Sequence, residues 1–134
     1  MLFMKYIPST KTFSYMGAGH ERFLIYRKAS ETVEVIASGG IAVGMFSGMF
    51  AKDTSKNFTL NIWDVLFLFT DGITEAQNKE KELFGIDRLI ESMKKHHDNS
   101  SKVLCEKIFT DIKEFTESDI FIDDVTMMSF RAQE

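Results

Sequence analysis

Helices packed on an antiparallel sheet, an α+β fold, is what this sequence predicts. Three observations carry the expectation. Short apolar or alternating segments joined by short turns fill the first half of the chain. After residue 85 the hydrophobic spacing changes to i, i+3, i+4, i+7 for two segments. One more alternating segment then closes the chain. Strands, then two helices, then a strand is an order that segregates helices to one side of an antiparallel sheet. The 134 residues, with one Pro and eight Gly, make a single unit with little room for linkers.

The elements follow in order. LFMKYI (2–7) and TFSYM (12–16) read as strands around a turn at 8–11, where Pro8 sits. Gly17-Ala18-Gly19-His20 is a flexible break. RFLIYR (22–27) and TVEVIA (32–37) are the next two strands, joined by a turn at 28–31, so the first part reads as a meander of antiparallel strands. Gly39, Gly40 and Gly44 mark an irregular loop. Residues 45–60 follow neither period, and 58–62 ends as a strand before a turn at 61–64. Residues 65–69, VLFLF, are apolar at every position, the mark of a strand covered on both faces. Ile86, Leu89, Ile90 and Met93 share one face of a helix over 86–97. Leu104, Ile108, Ile112 and Phe115 do the same over 101–115, with Asp98-Asn99-Ser100 placed to cap that second helix. VTMMSF (125–130) is the last strand, entered through Asp123-Asp124.

Composition excludes several classes. Apolar residues make up 44% of the chain and charged residues 27%, an ordinary globular balance. The net charge is −4, from 16 basic and 20 acidic residues, and no basic cluster suits nucleic acid. Lys94-Lys95-His96-His97, the nearest candidate, reads as the solvated end of a helix. Cys105 is alone, so no disulfide framework or thiolate metal site is expected within the chain, which fits a reducing, cytoplasmic setting. Residues 1–15 have no small-residue cleavage site after a long apolar stretch. No apolar run approaches the ~20 residues of a membrane span.

The chemistry concentrates in acidic residues at strand ends. Asp71 lies just past the buried strand, in FLFTDGITEAQN (67–78). Asp123 and Asp124 lie just before the last strand. If these strands are antiparallel neighbours, two or three carboxylates converge at one sheet edge. Like charges there repel unless a cation sits between them, and magnesium or manganese takes oxygen ligands of this kind. Gly72, without a Cβ, would let its carbonyl approach such an ion. The plainer reading stands beside it: Asp-Gly is a common turn dipeptide, and Asp often precedes a strand. His20 can be an acid or base, or a hydrogen-bonded loop residue. Gly17-Ala18-Gly19 precedes a strand and is no phosphate loop, and no G-x-S-x-G elbow occurs. His96 and His97, being adjacent, point to different helix faces and make a poor ligand pair.

GAGHERFLIYR (17–27), SGGIAVGMF (38–46), FLFTDGITEAQNKEKELFGIDRL (67–89) and DDVTMMSFR (123–131) resemble, in order and spacing, the C-terminal half of the SpoIIE-like (RsbU-like) phosphatase domain. That domain is a branch of the metal-dependent PPM, or type 2C, Ser/Thr protein phosphatases. The resemblance spans roughly residues 10–131, and the ordered T-D-G-I-T-E-A, F-G-x-x-R-L and D-D-x-T blocks are specific together where none would be alone. It implies a sandwich of antiparallel sheets flanked by helices. It also implies two manganese or magnesium ions at one edge, where activated water attacks a phosphoserine or phosphothreonine. Carried over, Asp71 and Asp123 are metal ligands and Asp124 supports or makes the turn. Glu75 and His20 match family positions without an assigned metal role. The implied target is a phosphorylated regulatory protein of bacterial signalling, often an anti-anti-sigma (STAS-type) protein.

The departures from the family pattern shape the rest. The family's Gly-Asp-x-x-Gly-His-Gly-like block, which carries a further metal-binding Asp, does not occur in these 134 residues, so the expectation is a single partial domain over 1–134. Ala42 stands in place of a usual Pro, and Glu21-Arg22 in place of a Pro-containing step; both read as loop variation. With ligands missing, metal affinity falls and the isolated chain is expected to be inactive. Unpaired strand edges predict a homodimer, formed by strand exchange. The rival expectation is a non-catalytic binding or dimerisation module.

Overall fold

A computed structural model describes residues 1–20, 22–39, 55–118, 121 and 123–133. Glu21, Gly40, Ala42, Gly44 and the segment 45–54 lie outside the described residues. Seven strands fall in the order β1 (Leu2–Ile7), β2 (Thr12–Gly17), β3 (Arg22–Arg27), β4 (Thr32–Ala37), β5 (Lys56–Thr59), β6 (Val65–Phe69) and β7 (Met127–Arg131). Three helices, α1 (Asp71–Thr74), α2 (Gly85–His96) and α3 (Ser101–Thr116), lie between β6 and β7.

The strands form two antiparallel sheets rather than one meander. One has the order β1-β2-β5 and the other β4-β3-β6-β7. The chain changes sheets between β2 and β3. Side-chain alternation explains why: Phe13 and Tyr15 of β2 and Phe23 and Ile25 of β3 bury themselves against one another across a gap, with Tyr15 and Phe23 meeting edge-on at 5.0 Å. Paired side by side in one sheet, β2 and β3 would not bury these side chains face to face. Gly17 makes the crossing tight. A β-carbon there would lie 2.3 Å from the Gly39 carbonyl oxygen, so the end of β2 touches the end of β4 as only glycine permits.

The four-stranded sheet is the middle layer. Phe23, Ile25 and Leu66 face the smaller sheet, while Leu24, Tyr26, Val65, Phe67 and Phe69 face the helices. Both faces of β3 and β6 are therefore dry, as the unbroken apolar run of β6 predicts. Leu89 and Met93 of α2 and Leu104, Ile108 and Ile112 of α3 close the helix side. Ser100 caps α3, its hydroxyl accepting the Val103 N–H at 3.4 Å.

Several boundaries differ from the expectation. β5 starts at Lys56 and stops at Thr59, because Leu60 turns into the inter-sheet core and 61–64 is a turn. β7 starts at Met127, because Thr126 pairs with Thr70 beyond the end of β6. The end of α2 is not wholly solvated either. His96 is buried and bonds Asp111 of α3 at 3.0 Å, and His97 stacks on Tyr26 with centroids 4.3 Å apart. Leu89, Met93 and His96 fall at i, i+4 and i+7, so the stripe itself carried that signal.

Candidate functional site

The β6–β7 pairing decides the site. Phe69 lies opposite Met127, so the residues after β6 and before β7 meet at one edge of the middle sheet. Thr70 locks them together. Its N–H donates to the Thr126 carbonyl (3.0 Å) and its hydroxyl donates to the Asp124 carbonyl (2.8 Å), while that same hydroxyl oxygen accepts the Thr126 N–H (3.0 Å). One threonine thus satisfies backbone groups that a sheet ladder would leave open at its end.

Asp71 begins α1, a single helical turn where the sequence suggested a plain turn. Its Oδ1 accepts the Gly72 N–H at 3.1 Å, and its carbonyl accepts the Glu75 N–H and the Thr74 hydroxyl. Asp123 is built the same way across the junction: its Oδ1 accepts the Asp124 N–H at 2.7 Å. Each carboxylate is pinned by one oxygen to the next backbone amide. Both carboxylates belong to exposed residues. Gly72 packs against the Asp123-Asp124 backbone. A β-carbon on it would stand 2.5 Å from the Asp124 carbonyl oxygen and 3.2 Å from that of Asp123.

Two clefts flank the Asp71-Gly72 step. One, of about 200 Å³, is lined by His20, Arg22, Thr70, Asp71 and Thr74, with Gly19 and Phe69 completing its wall. The other, of about 280 Å³, is lined by Gly72, Glu75 and Asp123 beside Ala76, Gln77 and Leu83. The structure therefore brings His20 to Asp71 on one side, and Glu75 to Asp123 on the other. Asp124 lines neither and contributes its backbone carbonyl to Thr70. Ser38 donates its hydroxyl to the His20 carbonyl, tying the end of β4 to the same edge. Sequence reasoning missed Thr70 and Arg22. Thr70 opened the T-D-G-I-T-E-A block, but nothing local gave it a role, because its partners lie 54 and 56 residues away. Arg22 was visible as the first residue of a strand and, with Glu21, as a departure from the family pattern that read as loop variation.

Hard carboxylate oxygens suit magnesium or manganese. Their number does not complete a shell: among the described residues no group of three or more His, Cys, Asp or Glu could hold a metal ion.

An α+β sandwich of two antiparallel sheets flanked by helices, with Asp71 and Asp123 at one edge of the middle sheet, is the class that the fold defines. The model of the family described as Stage II sporulation protein E (SpoIIE) matches residues 1–133, and the chain belongs to that family. Protein IcfG of Synechocystis sp. is 32% identical over 123 residues, which cover 90% of this chain and 18% of that protein. Among solved structures, the phosphatase domain of the cell fate determinant SpoIIE from Bacillus subtilis, presoaked with manganese, superposes with a TM-score of 0.74 at 15% identity, over 99% of this chain and 56% of that one. The SiaA-PP2C domain of Pseudomonas aeruginosa gives 0.71 at 21% identity, over 91% of this chain and 46% of that one. The fold is that of these phosphatase domains, and this chain spans about half of each.

Proposed function

We propose that this chain is the C-terminal part of a metal-dependent protein serine/threonine phosphatase of bacterial signalling, with Asp71 and Asp123 as its metal ligands. The observation that carries the reading is the Thr70 clamp, which joins two strand ends so that the Asp71-Gly72 step packs against the Asp123-Asp124 backbone. Family membership supports it. The Gly72 carbonyl is a further donor in this reading, and Asp124, Glu75 and His20 support the site. When bound, manganese or magnesium ions activate water and neutralise charge on the transferring phosphoryl group. The chain's own part is to hold carboxylate oxygens at a fixed edge and to offer the substrate the cleft beside them. The family's Gly-Asp-x-x-Gly-His-Gly-like block, with its further metal-binding Asp, does not occur in the sequence, so the isolated chain is inactive in this reading.

The substrate is a phosphorylated regulatory protein, of the STAS type in the family pattern. The exposed edges of β1 and β7 favour a homodimer. The setting is cytoplasmic, and no helix among the described residues is long and apolar enough to cross a membrane.

Manganese-dependent hydrolysis of a phosphoserine peptide by the full-length gene product is the test. Asp71→Asn and Asp123→Asn should each lower it by more than roughly tenfold, the loss that even an outer-sphere metal partner causes. Unchanged activity in both would remove the assignment. Calorimetric titration with manganese separates the alternative, a non-catalytic module: that module would bind none in the full-length product.

A further inference from the structure

We propose that Arg22 is a substrate-binding residue that holds the phosphoryl group in the cleft beside Asp71. The inference rests on the phosphatase reading above and adds a specificity residue to it.

Arg22 opens β3, and β3 pairs with β6 so that Leu24 faces Phe67. Arg22 stands two residues before Leu24 on β3, and Phe69 stands two residues after Phe67 on β6. The lining of the cleft agrees: Arg22, His20, Phe69 and Asp71 all border it. Rigidity comes from the strand behind it. Phe23, Leu24 and Ile25 are fully buried, whereas Arg22 itself is exposed. A charge mounted on so well packed a strand is held more precisely than one on a loop.

The chemistry follows from charge. A phosphomonoester arrives with up to two negative charges, and Asp71, which lines the same cleft, repels it. Metal ions, when bound, would offset part of that repulsion. Arg22 is the cleft's permanently charged cation among the described lining residues, because His20 is charged only when protonated. A guanidinium offers two parallel N–H groups to a phosphoryl group, a match that an ammonium point charge lacks. Arg22 also stands where the family pattern has a Pro-containing step, which has no cation to offer.

The experiment uses the full-length gene product loaded with manganese and takes inorganic phosphate as the probe. Arg22→Ala should weaken phosphate binding in calorimetry, and raise both the phosphate inhibition constant and the KM for a phosphoserine peptide, by about tenfold or more, as expected for loss of a charge-assisted hydrogen bond. Arg22→Lys should fall between the two, and the manganese concentration for half-maximal activation should not move. Arg22→Gln, close in shape, is measured alongside so that lost charge is separated from lost folding. Unchanged phosphate binding in both neutral variants, or no phosphate binding by the unaltered protein, overturns the proposal. An unaltered protein that binds phosphate through Arg22 yet hydrolyses no phosphoserine peptide overturns the phosphatase reading and leaves Arg22 as an anion site.

Discussion

Gly72 packs beneath the Asp124 carbonyl so closely that a β-carbon would stand 2.5 Å from the oxygen. The neighbour is backbone and cannot swing aside. Gly72→Ala should therefore cost roughly 1–3 kcal/mol, the usual price of overpacking, and push the Asp123-Asp124 segment away from Asp71. Urea unfolding measures the first effect, and manganese titration of the full-length product the second. An alanine variant with an unshifted midpoint would show that the junction is looser than described. Asp64 makes the opposite point at the far end of β6. It is 1% exposed and accepts from Arg27 (3.0 Å), the Lys28 N–H (2.9 Å) and the Asn61 N–H (3.0 Å). A buried carboxylate is tolerated because every contact neutralises or satisfies it. The residues of the candidate site were legible where chemistry sat at a strand end, as with Asp71 and Asp123. Asp64 looked like a turn residue, and nothing local reveals the guanidinium that meets it.

At the scale of elements, α2 and α3 are joined by more than their apolar stripes. Asp111 of α3 accepts from Ser92 (2.6 Å), His96 (3.0 Å) and Lys95 (3.0 Å) of α2. Burial pushes the Asp111 carboxyl up, but the bonds from Ser92, Lys95 and His96 and the nearby His96 charge outweigh it and hold the group below the ordinary carboxylate range. A depressed folded-state value means that the folded chain binds fewer protons than the unfolded one in that range. The clamp is therefore fully present above the ordinary Asp value, near pH 4, and is lost as pH falls through the lower folded value. Asp111→Asn should lower stability at neutral pH and flatten its decline on acidification below about pH 4. Thermal melts of both chains across that range check it; parallel curves would refute the clamp. Both helices were legible from their spacing within a residue or so at each end. The polar clamp was not, because it depends on which turn of α3 faces which turn of α2.

The whole molecule is organised around β3 and β6. Each is paired on both sides and buried on both faces, between a helical core and an aromatic inter-sheet core. β1 has one partner strand and leaves Phe3 52% exposed, and β7, the opposite sheet's edge, leaves Met128 58% exposed. Native-state hydrogen exchange should show β3 and β6 amides as the slowest, opening only with global unfolding, and β1 amides as the fastest strand amides. Uniform protection across both sheets would contradict this ranking.

The sequence by itself determined the α+β class, both long helices, six strand positions and the two carboxylate-bearing strand ends. Those features arise from local periodicity and turn chemistry, which act over a few residues. Tertiary structure alone decided that β2 and β3 belong to different sheets and that Thr70 binds backbone more than 50 residues away. It also decided that Arg22 borders the Asp71 cleft. The physical reason is common to all three: sheet partners and their register are set by how large faces bury together, and no short stretch of sequence encodes that choice.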